Sequence, residues 1–309
     1  MDTSELRTSP GLAYWRFVVE RAAEDSFPAA YSTLLAQPHF IEACLQTVRN
    51  NVDHHFYSPI VARVARDLRR FFAGVFVLHL ESKGELTLAT VKTLCRELGL
   101  ASPGRATALL VQLRVIGFIM PDPVQPDRRA RRYIPTPQMR ACFQKFFRDQ
   151  LVAASKIEPE TLRVAEHIDD PDVFRAFMQK LTTGMTAMAR TQSKNPLTPF
   201  AHHTAGMGIL YELALAREEG DTFPPRGPVR LSVTALARKY KVSRAHVSRL
   251  LKLAESQGSL KRGADGNTIV ICEPLRQTLT EFWCVSLVGT MACAHAALEA
   301  VASIEAEAA

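Results

Sequence analysis

Apolar side chains recur with the period of an α-helix in two segments of the chain that match each other. The segment 94–119 aligns with the segment 236–260 when one extra residue is allowed in an internal turn. Each segment carries one apolar stripe at positions three and four residues apart, which predicts a helix with one buried face. The stripes comprise Ala106, Leu109, Leu110, Leu113 and Ile116 in the first segment and Val247, Leu250, Leu251 and Ala254 in the second. The chain therefore contains an internal duplication.

Residues that favour helix ends frame each stripe. Thr90 and Ser232 stand where the N-cap of a preceding short helix is expected. Ser102 and Ser243 stand where the striped helix should begin, and Pro103 suits the first turn of that helix. Each copy is therefore predicted to contain a short helix, a tight turn and a second helix.

Strand signals follow the second helix in both copies. Gly117 and Gly258 suit a left-handed helix end, and apolar residues then begin a strand. A polar loop separates this strand from a returning strand, predicted at 133–134 in the first copy and at 268–272 in the second. Each copy thus has the order helix, turn, helix, strand, loop, strand.

This order resembles the winged helix-turn-helix fold. Ser58-Pro59 and Thr198-Pro199 are each predicted to begin a long helix before a copy, the second one covering 200–216, and another long helix is predicted after each copy. Two such halves are similar to two fused subunits of a multiple-antibiotic-resistance-regulator (MarR) protein. The resemblance implies a mainly α fold in which two winged helix-turn-helix modules with small β-wings are joined by long packing helices in a pseudo-two-fold arrangement.

The length of 309 residues fits this organisation, because domains usually contain about 100 to 200 residues. We expect four regions along the chain. They are an N-terminal helical segment (1–57), a first winged-helix module with flanking helices (58–150), a connector and helical segment (151–197), and a second winged-helix module with flanking helices (198–309).

Positive charge is concentrated in the two copies. The formal net charge is +7, and the region 58–150 holds 16 basic and 7 acidic residues, whereas the regions 1–57 and 151–225 are net negative. The segment 226–262 has ten basic residues and one acidic residue, Glu255. Such concentrated charge favours an anionic partner, and for this fold resemblance that partner is double-stranded DNA.

The candidate DNA-binding residues lie on the polar faces of the two striped helices and in the two wings. In the second copy we expect Arg244 and His246 near base edges, with Arg249 and Lys252 at phosphates. The other candidates of that copy are Ser243, Ser248, Lys261 and Arg262. In the first copy the candidates are Arg105, Thr107 and Gln112 on the helix and Arg128, Arg129, Arg131 and Arg132 in the wing. Because the first helix face is less basic, the two halves are expected to contact unequal half-sites.

Motifs for catalysis or for a bound cofactor do not occur in the sequence. There is no GxSxG, GxxxxGK or HExxH segment, and no cluster of Cys and His has zinc-ligand spacing. The six cysteines stand apart from each other, as reduced thiols of a cytosolic protein do. We therefore expect no enzymatic activity, no cofactor and no metal.

Neither of the two most apolar segments is predicted to span a membrane. The segment 71–80 is too short, and the segment 282–298 contains polar residues that favour a buried interface helix. The first residues of the chain lack the basic start and apolar core of a signal peptide. These features predict a cytoplasmic protein that does not enter a membrane.

The favoured function is a bacterial-type, sequence-specific DNA-binding transcription regulator that acts as an internal pseudo-dimer. Two other classes fit the same resemblance: a plasmid-type replication initiator, and a tandem winged-helix protein-interaction module. The helices between the modules could enclose a small-molecule effector, which the sequence does not identify. It also leaves open whether the chain acts as a monomeric pseudo-dimer or as a homodimer.

Overall fold

The computed structural model describes residues 32–57, 67–124, 131–190, 196–265 and 267–308. These residues form a mainly α-helical protein with short strands. In chain order the N-terminal part contains helices α1 (Phe40–Tyr57), α2 (Leu68–Ser82), α3 (Leu88–Glu97) and α4 (Pro103–Val115), followed by strands β1 (Ile119–Pro121) and β2 (Tyr133–Pro135).

The central part of the chain is helical. It contains α5 (Pro137–Ala154), α6 (Thr161–His167), α7 (Pro171–Arg190), α8 (Thr198–Ala201) and α9 (Gly206–Leu215). The C-terminal part contains strand β3 (Val229–Arg230), helices α10 (Val233–Lys239) and α11 (Arg244–Ser256), strands β4 (Leu260–Arg262) and β5 (Thr268–Ile271), and the 36-residue helix α12 (Glu273–Ala308).

The two predicted copies have the same order of elements. We define unit 1 as residues 68–135 and unit 2 as residues 206–271. In unit 2, strand β5 lies between β3 and β4 in an antiparallel sheet. In unit 1, β1 and β2 pair in the same way, and an isolated bridge between Thr87 and Arg132 occupies the place of the third strand. Each unit is therefore a helix, an extended segment, two helices and a β-hairpin.

Side-chain caps fix the helix starts in both units. Ser102, Ser232 and Ser243 accept hydrogen bonds from backbone N–H groups three residues ahead, as predicted. The cap predicted at Thr90 is wrong, because Thr87 caps α3 and Thr90 completes a reciprocal capping box from inside the helix.

The long helix predicted for 200–216 is divided into α8 and α9. Ala205 has a left-handed backbone with φ of 60°, and α9 begins only at Gly206. The carbonyl oxygen of Phe200 lies 2.0 Å from the position that a Cβ atom on Gly206 would occupy. The chain therefore turns back closely on itself at this point, which is incompatible with one continuous helix.

Apolar side chains form two separate cores. The first core joins unit 1 to α5, α6 and α7, and Leu113, Ile119 and Phe177 are among its fully buried members. The second core joins unit 2 to α1, with Phe200, Leu210 and Trp283 at its centre. Each unit thus has its own hydrophobic support, completed by helices that lie far away in the sequence.

Helix α12 contributes to both cores. Its first half places Leu275, Leu279 and Trp283 in the second core, whereas its last half places Cys293 and Val301 in the first core. By length and composition the part Glu273–Glu307 is apolar enough to cross a membrane, yet half of its most apolar window is buried inside the protein. An ion pair of 2.6 Å between Arg163 on α6 and Glu305 fixes its C-terminal end.

Candidate nucleic-acid interface

Helix α11 presents a cationic surface to solvent. Its predicted stripe is buried, because Val247, Leu250, Leu251 and Ala254 all lie in the second core. The opposite face exposes Arg249 and Lys252, and Arg244 is exposed at the first position of the helix. Because the buried stripe fixes the rotation of the helix, Arg249 and Lys252 extend into solvent together.

The cations of this face are not neutralised by carboxylates. Within the described residues, neither Arg244 nor Arg249 nor Lys252 has an acidic side chain within ion-pair distance. Glu255, the acidic residue on α11, is held by Arg262, whose Nε lies 2.9 Å from its carboxylate. This hydrogen bond lowers the pKa of Glu255, and the charge of Lys252 nearby adds to the effect. Glu255 therefore remains ionised, with Arg262 as its partner.

Unit 2 exposes further basic residues besides those of α11. The exposed ones are Arg226, Arg230, Arg238, Lys239, Lys241 and Lys261. Lys239 forms an ion pair with Glu212 on α9. Lys241 occupies the turn between α10 and α11 with φ of 53°, a left-handed backbone that a residue with a Cβ atom seldom adopts. We call these six residues, together with the exposed basic residues of α11, the cationic face.

Two candidates of unit 2 do not have the predicted orientation. His246 was expected on the outward face, and this placement is wrong: its ring is half-buried and Nε2 lies 2.8 Å from the carbonyl oxygen of Thr204, to which it donates. Helix α11 packs against α8 along this edge, and the turn after α8 takes up the imidazole. Arg262, half-buried, is bound to Glu255.

The two serine candidates do not extend from the open face of the helix. The hydroxyl of Ser243 accepts the hydrogen bond of the His246 N–H at 3.1 Å, so this exposed side chain is the N-cap of α11. Ser248 is half-buried at the side of the helix. Of the candidates in unit 2, Arg244, Arg249, Lys252 and Lys261 are therefore exposed on the cationic face as predicted.

Unit 1 places its candidates differently. Arg105 and Arg131 are exposed, whereas Arg132 pairs with Asp122 at 3.7 Å. The hydroxyl of Thr107 donates to the carbonyl oxygen of Pro103 within the same helix, and Gln112 is half-buried. Arg128 and Arg129 lie outside the described residues.

The apolar character of the open face of α4 was not predicted from the sequence. Its centre consists of Gly104, Ala108, Val111 and Val115, all exposed. The alignment that pairs Leu109 and Leu110 with Leu250 and Leu251 also pairs Ala108 with Arg249 and Val111 with Lys252. This pairing was the available signal, and it shows that the two equivalent helices carry opposite surfaces.

Cysteine thiols lie in or against both cores. Burial raises the pKa of Cys142 to about 11 and that of Cys293 to about 12, so both thiols stay protonated at neutral pH. Among the described residues no group of three or more His, Cys, Asp or Glu side chains could hold a metal ion. What the described surface offers chemically is an array of exposed cations on unit 2. Comparison of the chain with protein-family models, curated protein sequences and solved structures found no match.

Proposed function

We propose that this protein is a transcription regulator of tandem winged helix-turn-helix design that binds double-stranded DNA through the cationic face of unit 2. The observation that carries the proposal is the exposure of Arg249 and Lys252 on the open side of α11 and of Arg244 at its first position, with no carboxylate paired to them among the described residues. Guanidinium groups at such positions can contact guanine O6 and N7 or phosphate oxygens.

The arrangement around α11 supports the proposal. Helix α10 is followed by a short turn and then by α11, a capped helix of 13 residues. A β-hairpin follows the C-terminal end of α11. In a winged helix-turn-helix module the second helix enters the major groove while the hairpin lies beside the DNA backbone. Lys261 on β4 is exposed, so the hairpin adds a cation where a phosphate would be contacted.

Electrostatic attraction supplies most of the expected affinity. Each phosphate that a Lys or Arg neutralises releases condensed counterions and contributes roughly −0.9 to the slope of log K against log salt. The cationic face offers Arg244, Arg249, Lys252, Lys241 and Lys261 near α11. If about five of these contacts form, the slope is about −4 to −5.

Unit 1 has a lesser part in this proposal. Its hairpin exposes Arg131, and α4 exposes Arg105, so phosphate contacts from this unit are available. The centre of the α4 face carries no polar side chain that could distinguish one base from another. Unit 2 therefore selects the sequence, and unit 1 extends the site to an unequal neighbouring half-site about 34 Å away.

The test begins with selection of bound fragments from randomised DNA by the full chain, followed by fluorescence anisotropy on the selected site. The double variant Arg244→Ala/Arg249→Ala should weaken binding by at least 100-fold and flatten the salt slope by about 2. Arg49→Ala is the matched control, because Arg49 is exposed on α1. Its affinity should equal that of the parent.

Equal binding by the parent and the double variant, with circular dichroism showing that both are folded, would overturn the proposal. Mapping of bound DNA across a genome then separates regulation of transcription from initiation of replication. A regulator should occupy promoter elements, whereas an initiator should occupy directly repeated sites at an origin.

A further inference from the structure

The open face of α4 is apolar over its whole length. Ala108, Val111 and Val115 follow each other at intervals of three and four residues, so they form one stripe along the helix. Val111 is 56% exposed and Val115 is 80% exposed. A stripe with this spacing on an otherwise complete unit is the pattern by which one helix packs against another.

Exposed apolar side chains are concentrated in this part of the sequence. Eight large hydrophobic residues are exposed in the described part of the chain, and four of them lie within 14 consecutive positions. They are Val111 and Val115 on α4, Met120 on β1 and Val124 in the following turn. Single exposed apolar residues are ordinary, whereas a cluster of them marks an interaction surface.

Charges border the stripe on both sides. On a helical projection Arg105 lies along one edge and Arg114 along the other, and both are exposed. Helix α4 itself has no acidic residue. The partner that complements this face therefore carries apolar side chains flanked by carboxylates, and two copies of the face would bring arginines together.

The same face is poorly suited to DNA. The centre of the stripe offers no hydrogen-bond donor to a phosphate or a base edge, and polar groups covered by apolar side chains lose their hydration without compensation. At the equivalent positions α11 carries Arg249 and Lys252. The open face of α4 thus suits a partner with apolar side chains flanked by carboxylates, whereas the open face of α11 suits a polyanion.

We propose that the face formed by Ala108, Val111 and Val115 docks an acidic amphipathic helix of a partner protein. The partner helix places apolar side chains against the stripe and carboxylates against Arg105 and Arg114. The docked partner would take the place of the unit 1 half-site, because Arg105 can contact either its carboxylates or a phosphate, and the cationic face of unit 2 would still bind DNA.

The experiment uses the full chain and a fluorescein-labelled synthetic helix. The probe is a 21-residue peptide with leucine at heptad positions a and d and glutamate at e and g, and the matched peptide has lysine at e and g. We expect the glutamate peptide to bind with a Kd on the order of 10–100 μM and at least ten times more tightly than the lysine peptide.

Two variants locate the binding. Val111→Ser/Val115→Ser removes the apolar stripe without changing the charge and should weaken glutamate-peptide binding at least ten-fold. Lys252→Ser, on the equivalent helix of unit 2, should leave peptide binding unchanged while it weakens DNA binding. The Val111→Ser/Val115→Ser variant should keep the DNA affinity of the parent within about two-fold, since its cations are intact.

Three results would overturn the inference. The first is equal binding of the glutamate peptide by the parent and by Val111→Ser/Val115→Ser, which would place the peptide on the cationic face. The second is loss of DNA affinity in that variant, which would assign the valines to thymine methyl groups. The third is a dimer in sedimentation that dissociates in that variant. Peptide docking without any DNA binding would leave this inference standing and remove the proposed function.

Discussion

Helices α4 and α11 have the same length and the same kind of N-cap, and each buries one apolar stripe in its own core. Their open faces are opposite in character, with Ala108 and Val111 in one and Arg249 and Lys252 in the other. The buried side of such a helix is constrained by packing, whereas its solvent side can change at small cost to stability. A duplicated module can therefore acquire two functions without changing its fold.

The largest expected effect concerns the independence of the two surfaces. A Cβ atom on Gly208 would lie 2.2 Å from the ring of Tyr240, and the Tyr240 hydroxyl donates to the Gly208 carbonyl oxygen at 2.9 Å. Gly208→Ala should thus destabilise unit 2 by about 2–4 kcal/mol, measured by urea unfolding. DNA binding should fall with it, while peptide docking on α4 should persist.

Gly104→Ala is the control for this substitution. No atom lies within 4 Å of the position of its Cβ, so alanine should stabilise α4 by about 0.5–1 kcal/mol. If Gly208→Ala instead unfolded both units in one transition, the two surfaces would belong to one cooperative structure and would not be independent.

The second prediction transfers the charges of one helix to the other. Ala108→Arg/Val111→Lys gives α4 the residues found at the equivalent positions of α11. Affinity for random-sequence DNA at low salt should rise about ten-fold, and the magnitude of the salt slope should increase by about 2. Fluorescence anisotropy over a salt series measures both, and an unchanged slope would show that α4 does not face the DNA.

The third prediction concerns the turn before each helix. Gly99 in unit 1 has φ of 62°, and Lys241 in unit 2 has φ of 53°. Lys241→Gly should relieve a backbone cost of about 1 kcal/mol and raise the urea midpoint, while it weakens DNA binding about three-fold. Lys241→Ala should weaken DNA binding equally without the gain in stability. If neither substitution changed the DNA affinity, Lys241 would not belong to the DNA interface.

The smallest expected effect is a pH dependence in the first core. Burial lowers the pKa of His79 on α2, whose Nδ1 lies 2.9 Å from the Thr182 hydroxyl on α7. The unfolded chain therefore binds a proton more readily, and stability should fall as the pH is lowered from 7 through 6.5, the ordinary His pKa, and below. Urea unfolding at pH 7 and pH 5 should show this decrease, and His79→Gln should reduce it.

Local chemistry made much of the fold predictable. The caps at Ser102, Ser232 and Ser243 depend on residues within three positions, and the left-handed glycines Gly117 and Gly258 follow from the same local rules. The buried stripes were predictable because a helix has a fixed period. The cap at Thr87 was missed because Thr90, one turn further on, is an equally good capping residue by composition.

The remaining features depend on contacts between distant parts of the chain. The orientation of His246 is determined by the carbonyl of Thr204, 42 residues away. The close approach of Phe200 to Gly206, which interrupts a helix that composition favours, also requires knowledge of the packing. For the candidate site, the exposed arginines were predictable from residue type. The exposure of Val111 and Val115 was not, because valine side chains on a helix are usually buried and only the folded protein shows that nothing covers these two.

Helix α12 restricts how this chain can evolve. Its 36 residues would extend about 54 Å, with one end in each core. One residue inserted between Val288 and Cys293 would rotate its last half by about 100° and turn Val301 out of the first core. Insertions and deletions should thus be tolerated in surface loops and rejected in this segment, where the register of the helix keeps each of its ends in the correct core.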